Sequence, residues 1–246
     1  MRWKQVLPAL VLLLLLWQAL AMVVSLQILP TPFQVGQALV RDMGRDLPGH
    51  FMASFWRVLI STLLSIVTAA PLGLMLGQSK RINQLLAPVI YLLYPIPKVV
   101  LLPVVVLFMG IGDVSKIFMI FLILFFQILV LVRDQATTLR PELIQSVRSL
   151  GAGRKALFRF VYLPASIPGI LTALRQSVGT AVAVLYVAEL FATQKGLGYY
   201  IYLNGSTMFD YPAMYAGVVA MSLLGFGLYF VVDWLERRLC PWQFVK

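Results

Sequence analysis

The main ionisable residues inside long apolar stretches of the sequence are Arg57, Lys98, Arg175 and Glu189. A charge in such a setting is costly unless it is paired or lines a polar path, so each is a functional candidate by default. Three cations against one carboxylate would suit the passage of a small oxyanion such as a sulfonate, nitrate or bicarbonate. Lys98 stands beside Pro95, Pro97 and Pro103, where a broken helix can line a cavity. The structural alternatives are snorkelling of Arg57 and a pair between helices that joins Glu189 to Arg175 or to Lys98. Glu189 is read first as a partner for one of these cations. Covalent chemistry has little to draw on. The one histidine, His50, and the one cysteine, Cys240, build no ordinary metal site and no intrachain disulfide. The nine Asp and Glu residues are scattered, which leaves no acid–base cluster for an enzyme.

The elements that must position these residues are membrane spans. Of the 246 residues 61% are hydrophobic and only 12% charged, with a mean hydropathy of +0.89. A soluble domain carries roughly 25% charged residues, so most of this chain needs an apolar solvent. Six segments meet the length of about 20 apolar residues that a bilayer demands: 5–24, 52–76, 85–109, 114–132, 168–191 and 212–235. The first has a rival reading as a cleaved signal peptide, with Arg2 and Lys4 in front and Ala19-Leu20-Ala21 at the end. Its apolar run exceeds the usual signal core of about 7–15 residues.

The net charge of +11 follows from the basic residues that gather where a membrane protein meets the cytoplasm, and nucleic-acid binding is excluded on that ground. With six spans starting inside, the inner segments hold Arg2, Lys4, Lys80, Arg81, Arg133, Arg140, Arg148, Arg154, Lys155, Arg159, Arg237, Arg238 and Lys246. The outer segments hold Arg41, Arg45, Lys116 and Lys195. This asymmetry predicts a multi-pass protein with both termini in the cytoplasm. The outer stretch 25–50 opens on Pro30-Thr31-Pro32, and Val35, Leu39 and Met43 then recur every four residues, predicting a short amphipathic helix at the interface. Gly73-x-x-x-Gly77 would permit close helix approach, but in a glycine-containing apolar segment it is read as a chance occurrence.

The loop 133–167 is far longer than the 4–6 residues that usually join packed elements. After Pro141 the residues Leu143, Ile144, Val147 and Leu150 fall at helical spacing. Pro141 suits the helix start, Glu142 its positive end, and Gly151 its stop. A second short basic helix is expected from Arg154 to Tyr162, ended by Leu163-Pro164. An exposed two-faced helix of this kind fits a groove on a partner protein or an anionic lipid surface; the pattern alone leaves both open.

Residues 145–164 resemble the cytoplasmic signature of binding-protein-dependent ABC importer permeases: Glu-Ala-Ala, three residues, Gly, nine residues, Ile, one residue, then Leu-Pro. Gln145, Ser146 and Val147 occupy the triplet, Gly151 the glycine, Val161 the isoleucine, and Leu163 and Pro164 the closing pair. The spacing is matched in full; the triplet is altered at all three positions. The fragments Tyr94-Pro95-Ile96-Pro97-Lys98, Gly110-Ile111-Gly112, Ala188-Glu189-Leu190 and Gly196-Leu197-Gly198-Tyr199 are similar, in order, to the nitrate, sulfonate and taurine branch of that family.

The resemblance implies an all-α integral membrane protein with the type I importer permease fold: six transmembrane helices in a single permease domain over 1–246, an N-terminal span at 5–24, core spans over about 52–235, and a coupling loop at 133–167. It implies that Gln145, Ser146, Val147, Gly151, Val161, Leu163 and Pro164 contact a cytoplasmic ABC ATPase. It also implies an outer substrate-binding protein, a second permease copy as a homodimer, and a setting in the lipid of the inner membrane. The chain contains no G-x-x-x-x-G-K-[ST] phosphate loop, so no cofactor is expected in it; ATP and magnesium would be bound by the ATPase, and this chain would be no enzyme. Lys98, Arg175, Glu189 and Arg57 remain the candidates for the translocation path. An ion-coupled secondary transporter is the first rival, although such carriers place carboxylates or inverted repeats at the midplane. An importer of another small nutrient, such as a vitamin precursor, is the alternative within the family.

Overall fold

The computed structural model describes residues 3–139, 141–191 and 193–243. Arg2, Arg140 and Lys246 lie outside the described residues, as do the side chains of Lys4 and Arg154. Every regular element among the described residues is helical. In chain order they are α1 Trp3–Val24, α2 Pro32–Met43, α3 Leu47–Gln78, α4 Lys80–Leu93, α5 Leu102–Met109, α6 Asp113–Thr137, α7 Pro141–Ser149, α8 Arg154–Leu157, α9 Leu163–Leu190, α10 Leu197–Tyr202 and α11 Tyr211–Leu239. Among the described residues five helices are long and apolar enough to cross a membrane: α1, α3, α6, the run Lys155–Leu190 that contains α9, and α11. The pair Lys80–Leu93 and Lys98–Met109, bent by 73°, makes a sixth if it is one span.

That bend is where the segment 85–109 departs from a straight helix. Pro95 and Pro97 carry no N–H to continue the hydrogen-bond ladder; Tyr94, directly before the break, still has helical angles (φ −61°, ψ −47°). The chain therefore leaves α4 after Leu93 and restarts through a 3-10 turn at Lys98–Leu101.

By internal contacts the residues form two compact units, Met1–Phe55 with Thr193–Leu224, and Trp56–Ala192 with Gly225–Lys246. In the first, Thr31 caps α2: its hydroxyl accepts from the Gln34 N–H (3.3 Å), while the Gln34 side chain accepts from the Thr31 N–H (2.8 Å). Val35 and Ala38 are buried against Ala216, with Trp17, Leu39, Tyr215 and Val219 around them. The expected stripe Val35, Leu39, Met43 is thus replaced by Val35, Ala38 and Asp42, and Met43 is 60% exposed. A period of 3.6 places i, i+3 and i+7 on one face, and the helix packs on protein through that face.

In the second unit the spacing of α3 explains its packing on α6. From Arg57 the residues Ser61, Ser65, Ala69, Gly73 and Gly77 recur every four positions, a stripe of small side chains that lets two backbones approach. Beyond their own helix, the Ser61 and Ser65 hydroxyls also reach the carbonyls of Ile117 (3.1 Å) and Phe121 (3.2 Å) on α6. A Cβ at Gly73 would lie 2.9 Å from the Leu129 carbonyl oxygen, and one at Gly77 would lie 2.5 Å from Cβ of Ala136. Gly73-x-x-x-Gly77 is therefore a true close-approach motif, not a chance one. The three small residues before it, Ser61, Ser65 and Ala69, were the missed signal. α6 also packs extensively against α9; Met119 joins Leu102, Val105 and Ala188 in one buried cluster.

Candidate functional site

The loop helix α7 forms where the pattern predicts it, Pro141–Ser149. The hydroxyls of Ser146 and Ser149 fold back on the carbonyls of Glu142 (2.8 Å) and Gln145 (2.7 Å), so neither projects as a free polar group. Leu143 is 50% exposed and Leu150 85% exposed; Ile144 and Val147 are half-buried, and Gln145 and Ser146 are exposed. Gly151 ends the helix with φ +81°, its N–H donating to the Arg148 carbonyl (2.9 Å). No heavy atom lies within 4 Å of a Cβ built there, so the glycine is demanded by backbone conformation and not by space. Past it, α8 passes through a π turn at Phe158–Tyr162 directly into α9. Leu163-Pro164 therefore does not end a helix as expected. Pro164 has no N–H to donate into the continuous helix; it follows directly on the π turn, in which the Leu163 N–H donates five residues back to Phe158, a local shift of the hydrogen-bond ladder. Val161 is buried and Leu163 is exposed.

Lys98 lies at the break between α4 and α5. Its ammonium donates to the carbonyls of Leu93 (3.0 Å), Tyr94 (3.1 Å) and Ile96 (3.4 Å) and sits 4.5 Å from the centroid of the Phe126 ring. A helix that stops in apolar surroundings leaves carbonyls without donors, and the three N–H groups of one lysine meet them. A cavity of ≈ 380 Å³ opens beside it, lined by Tyr94, Lys98, Ile123, Phe126, Gln127 and Val184.

Arg57 and Glu189 come together; Lys98 and Arg175 each bond elsewhere. Nη1 of Arg57 donates to Oε1 of Glu189 (2.8 Å), while Nε and Nη2 both donate to Oδ1 of Asp113 (2.8 and 2.6 Å). Glu189 is 0% exposed and Arg57 5%, whereas the Asp113 side chain is 66% exposed. Arg57 therefore does not snorkel. Lys116, assigned by sequence to an outer segment, is instead wholly buried in α6, with its ammonium 2.9 Å from the Gly112 carbonyl. Arg175 pairs with Glu236 and lies 3.9 Å from Asp233. The anticipated pairs of Glu189 with Arg175 or Lys98 do not form, because each of those cations already has acceptors on its own side. Asp113 and Lys116 were missed. The one available signal was an acidic residue directly after Gly-Ile-Gly, the place where a helix N-terminus favours it.

A second polar cluster joins α2 to α10. The Tyr200 hydroxyl donates to Oδ2 of Asp42 (2.7 Å), and Arg41 bridges Asp42 (2.8 Å) to Asp210 (3.0 Å). The Arg41 guanidinium holds the Asp42 carboxyl below its ordinary range, helped by the Tyr200 hydroxyl. Burial, then the bond to Asp42, pushes the Tyr200 phenol up. The Gly196 N–H meets Nδ1 of His50 (3.1 Å), and the Leu197 N–H meets the Ser54 hydroxyl (2.8 Å). Both satisfy the first turn of α10.

Among known proteins, residues 69–240 match the family described as binding-protein-dependent transport system inner membrane component. The chain belongs to that family. This permease is 32% identical to the taurine transport system permease protein TauC of Escherichia coli (strain K12), over 94% of its own length and 86% of the relative's. It is 30% identical to the formylaminopyrimidine transport permease protein ThiX of Halalkalibacterium halodurans, over 94% and 92%. Its fold matches a chain of the inward-facing MetNI methionine ABC transporter with a TM-score of 0.70, at 18% identity, covering 80% of the permease and 97% of that chain. The permease thus has the type I ABC importer fold, and it is a transport component of the membrane.

Proposed function

We propose that the permease forms the translocation path of an importer for a small sulfonate of the taurine class, driven by a separate cytoplasmic ATPase that binds ATP and magnesium. An outer binding protein delivers the solute, and a second copy of the chain completes the path. The observation that carries the coupling half is α7: a helix with Leu143 exposed, followed by the exposed Leu150 and stopped by a glycine at φ +81°. Exposed leucines on and beside a short, rigidly ended helix fit a protein groove, and Gln145, Ser146, Val147 and Gly151 of the family signature lie on or just after it. Val161, Leu163 and Pro164 then join the docked segment to α9, so that movement of the ATPase reaches a span. The concentration of basic residues in the segments with this loop supports cytoplasmic termini.

The substrate half rests on similarity over nearly the full chain to a protein named for taurine transport. The similarity to a formylaminopyrimidine permease makes a pyrimidine precursor the competing substrate. Uptake of labelled taurine into proteoliposomes holding permease, ATPase and cognate binding protein, driven by internal ATP, tests the whole reading. Uptake of the pyrimidine but not of taurine would overturn the substrate. Gly151→Val should leave the amount of permease in the membrane unchanged but lower ATP-dependent uptake at least tenfold, since a β-branched residue resists positive φ. Full uptake by that variant would overturn the docking role.

A further inference from the structure

Arg57 is held by two carboxylates that differ sharply in what it would take to remove them. Glu189, on α9, is fully buried; withdrawing it would leave the guanidinium and the carboxylate uncompensated in apolar surroundings. Asp113, the first residue of α6, is largely exposed, so releasing it uncovers far less buried charge than releasing Glu189 would. Its attachment to Arg57 also runs through one oxygen. Nε and Nη2 form the edge of the guanidinium that matches two oxygens of an oxyanion, yet both converge on the single oxygen Oδ1 of Asp113. Directly before Asp113 stand Gly110, at φ +81°, and Gly112, two glycines that give the start of α6 room to change its backbone angles.

We infer that Asp113 is a built-in stand-in for the transported anion: a sulfonate or similar monovalent oxyanion displaces it and takes the Nε/Nη2 edge of Arg57, while Glu189 keeps the guanidinium in place from behind. This rests on the proposed anionic substrate and assigns it a residue. The exchange swaps one negative charge for another, so the buried set of Arg57, Lys116 and Glu189 never gains or loses net charge as the solute arrives. A neutral solute offers no such exchange, and selectivity for charge follows from that.

The test titrates the purified permease–ATPase complex with methanesulfonate and, in parallel, with dimethyl sulfone, an uncharged molecule of nearly the same shape, reading the thermal unfolding midpoint. The wild type should show a saturable rise with methanesulfonate only. Asp113→Asn, which removes the internal competitor and keeps the shape, should bind methanesulfonate about fivefold tighter, the factor expected for loss of one exposed ion pair. Arg57→Lys should bind it more weakly, because a lysine offers no two-pronged edge. An Asp113→Asn complex that binds no tighter than wild type, an equal response to the sulfone, or no response in the wild type overturns the inference. Taurine uptake by the full importer with unchanged Asp113→Asn affinity would sink this assignment alone. A binding protein that accepts only an uncharged solute would sink the proposed substrate, and the sulfonate titration still decides the assignment.

Discussion

Two cations in apolar segments of this permease are neutralised in opposite ways. Arg57 is met by side-chain charges from two other helices, with its bond to Glu189 spanning 132 positions of sequence. Lys98 is met by carbonyls within five residues of itself. The first arrangement ties α3, α6 and α9 together and exists only when all three are in place. The second repairs a defect that the local sequence creates, since Pro95 and Pro97 break the helix and the lysine beside them caps the broken end. A buried charge can therefore serve the tertiary structure or merely mend the secondary structure, and residue type alone does not distinguish the two.

The difference can be tested by removing one member at a time. Glu189→Gln should have the largest effect, because it leaves Arg57 and Lys116 in excess over Asp113 in a buried site; a loss of about 3 kcal/mol is expected, measured by thermal unfolding in detergent. If the loss were below about 1 kcal/mol, the tertiary role of the pair would fail. Lys98→Met should cost less, about 1–2 kcal/mol, the penalty of carbonyls left without a donor. Its effect should stay local, raising hydrogen exchange near Leu93–Leu101 while leaving α9 protected. Exchange that rises equally in α9 would erase the contrast between the two cations.

The polar cluster of Asp42 and Tyr200 sharpens the comparison from outside the spans. The Asp42 carboxyl has its pKa depressed in the fold, so its stabilisation is present above its unfolded value of about 3.9 and is lost as pH falls below that through the folded value. Tyr200→Phe removes one donor of that depression. It should cost about 1 kcal/mol at neutral pH, and the cost should shrink below about pH 4 as the carboxylate protonates in both proteins. Unfolding midpoints compared across pH 3–7 check this; a cost that does not change with pH would remove the ion–dipole account.

Much of the fold was legible because its determinants are close in sequence. The spans follow from runs of apolar residues, α7 from Pro141, Glu142 and Gly151 around a helical stripe, and the bend from two prolines. The family signature sits within twenty consecutive positions. Even the cap on the broken helix was in principle readable, as a lysine directly after Pro-Ile-Pro. Leu163-Pro164 shows the limit of such reading: the same dipeptide can end a helix or sit within one, and here a π turn carries the helix through it.

The sequence by itself determined a multi-span membrane permease, its loop helix and the glycine that stops it, because hydropathy and turn chemistry act over a few residues. Only the tertiary structure decided that Glu189 partners Arg57 and not Arg175 or Lys98, that Lys116 is buried, and that Gly73 and Gly77 continue a stripe reaching back to Arg57. The physical reason is common to all three. Which charge meets which, and whether a small residue is a contact or a coincidence, depends on the rotation of whole helices about their axes. That rotation is set by packing between segments some sixty to one hundred and thirty positions apart.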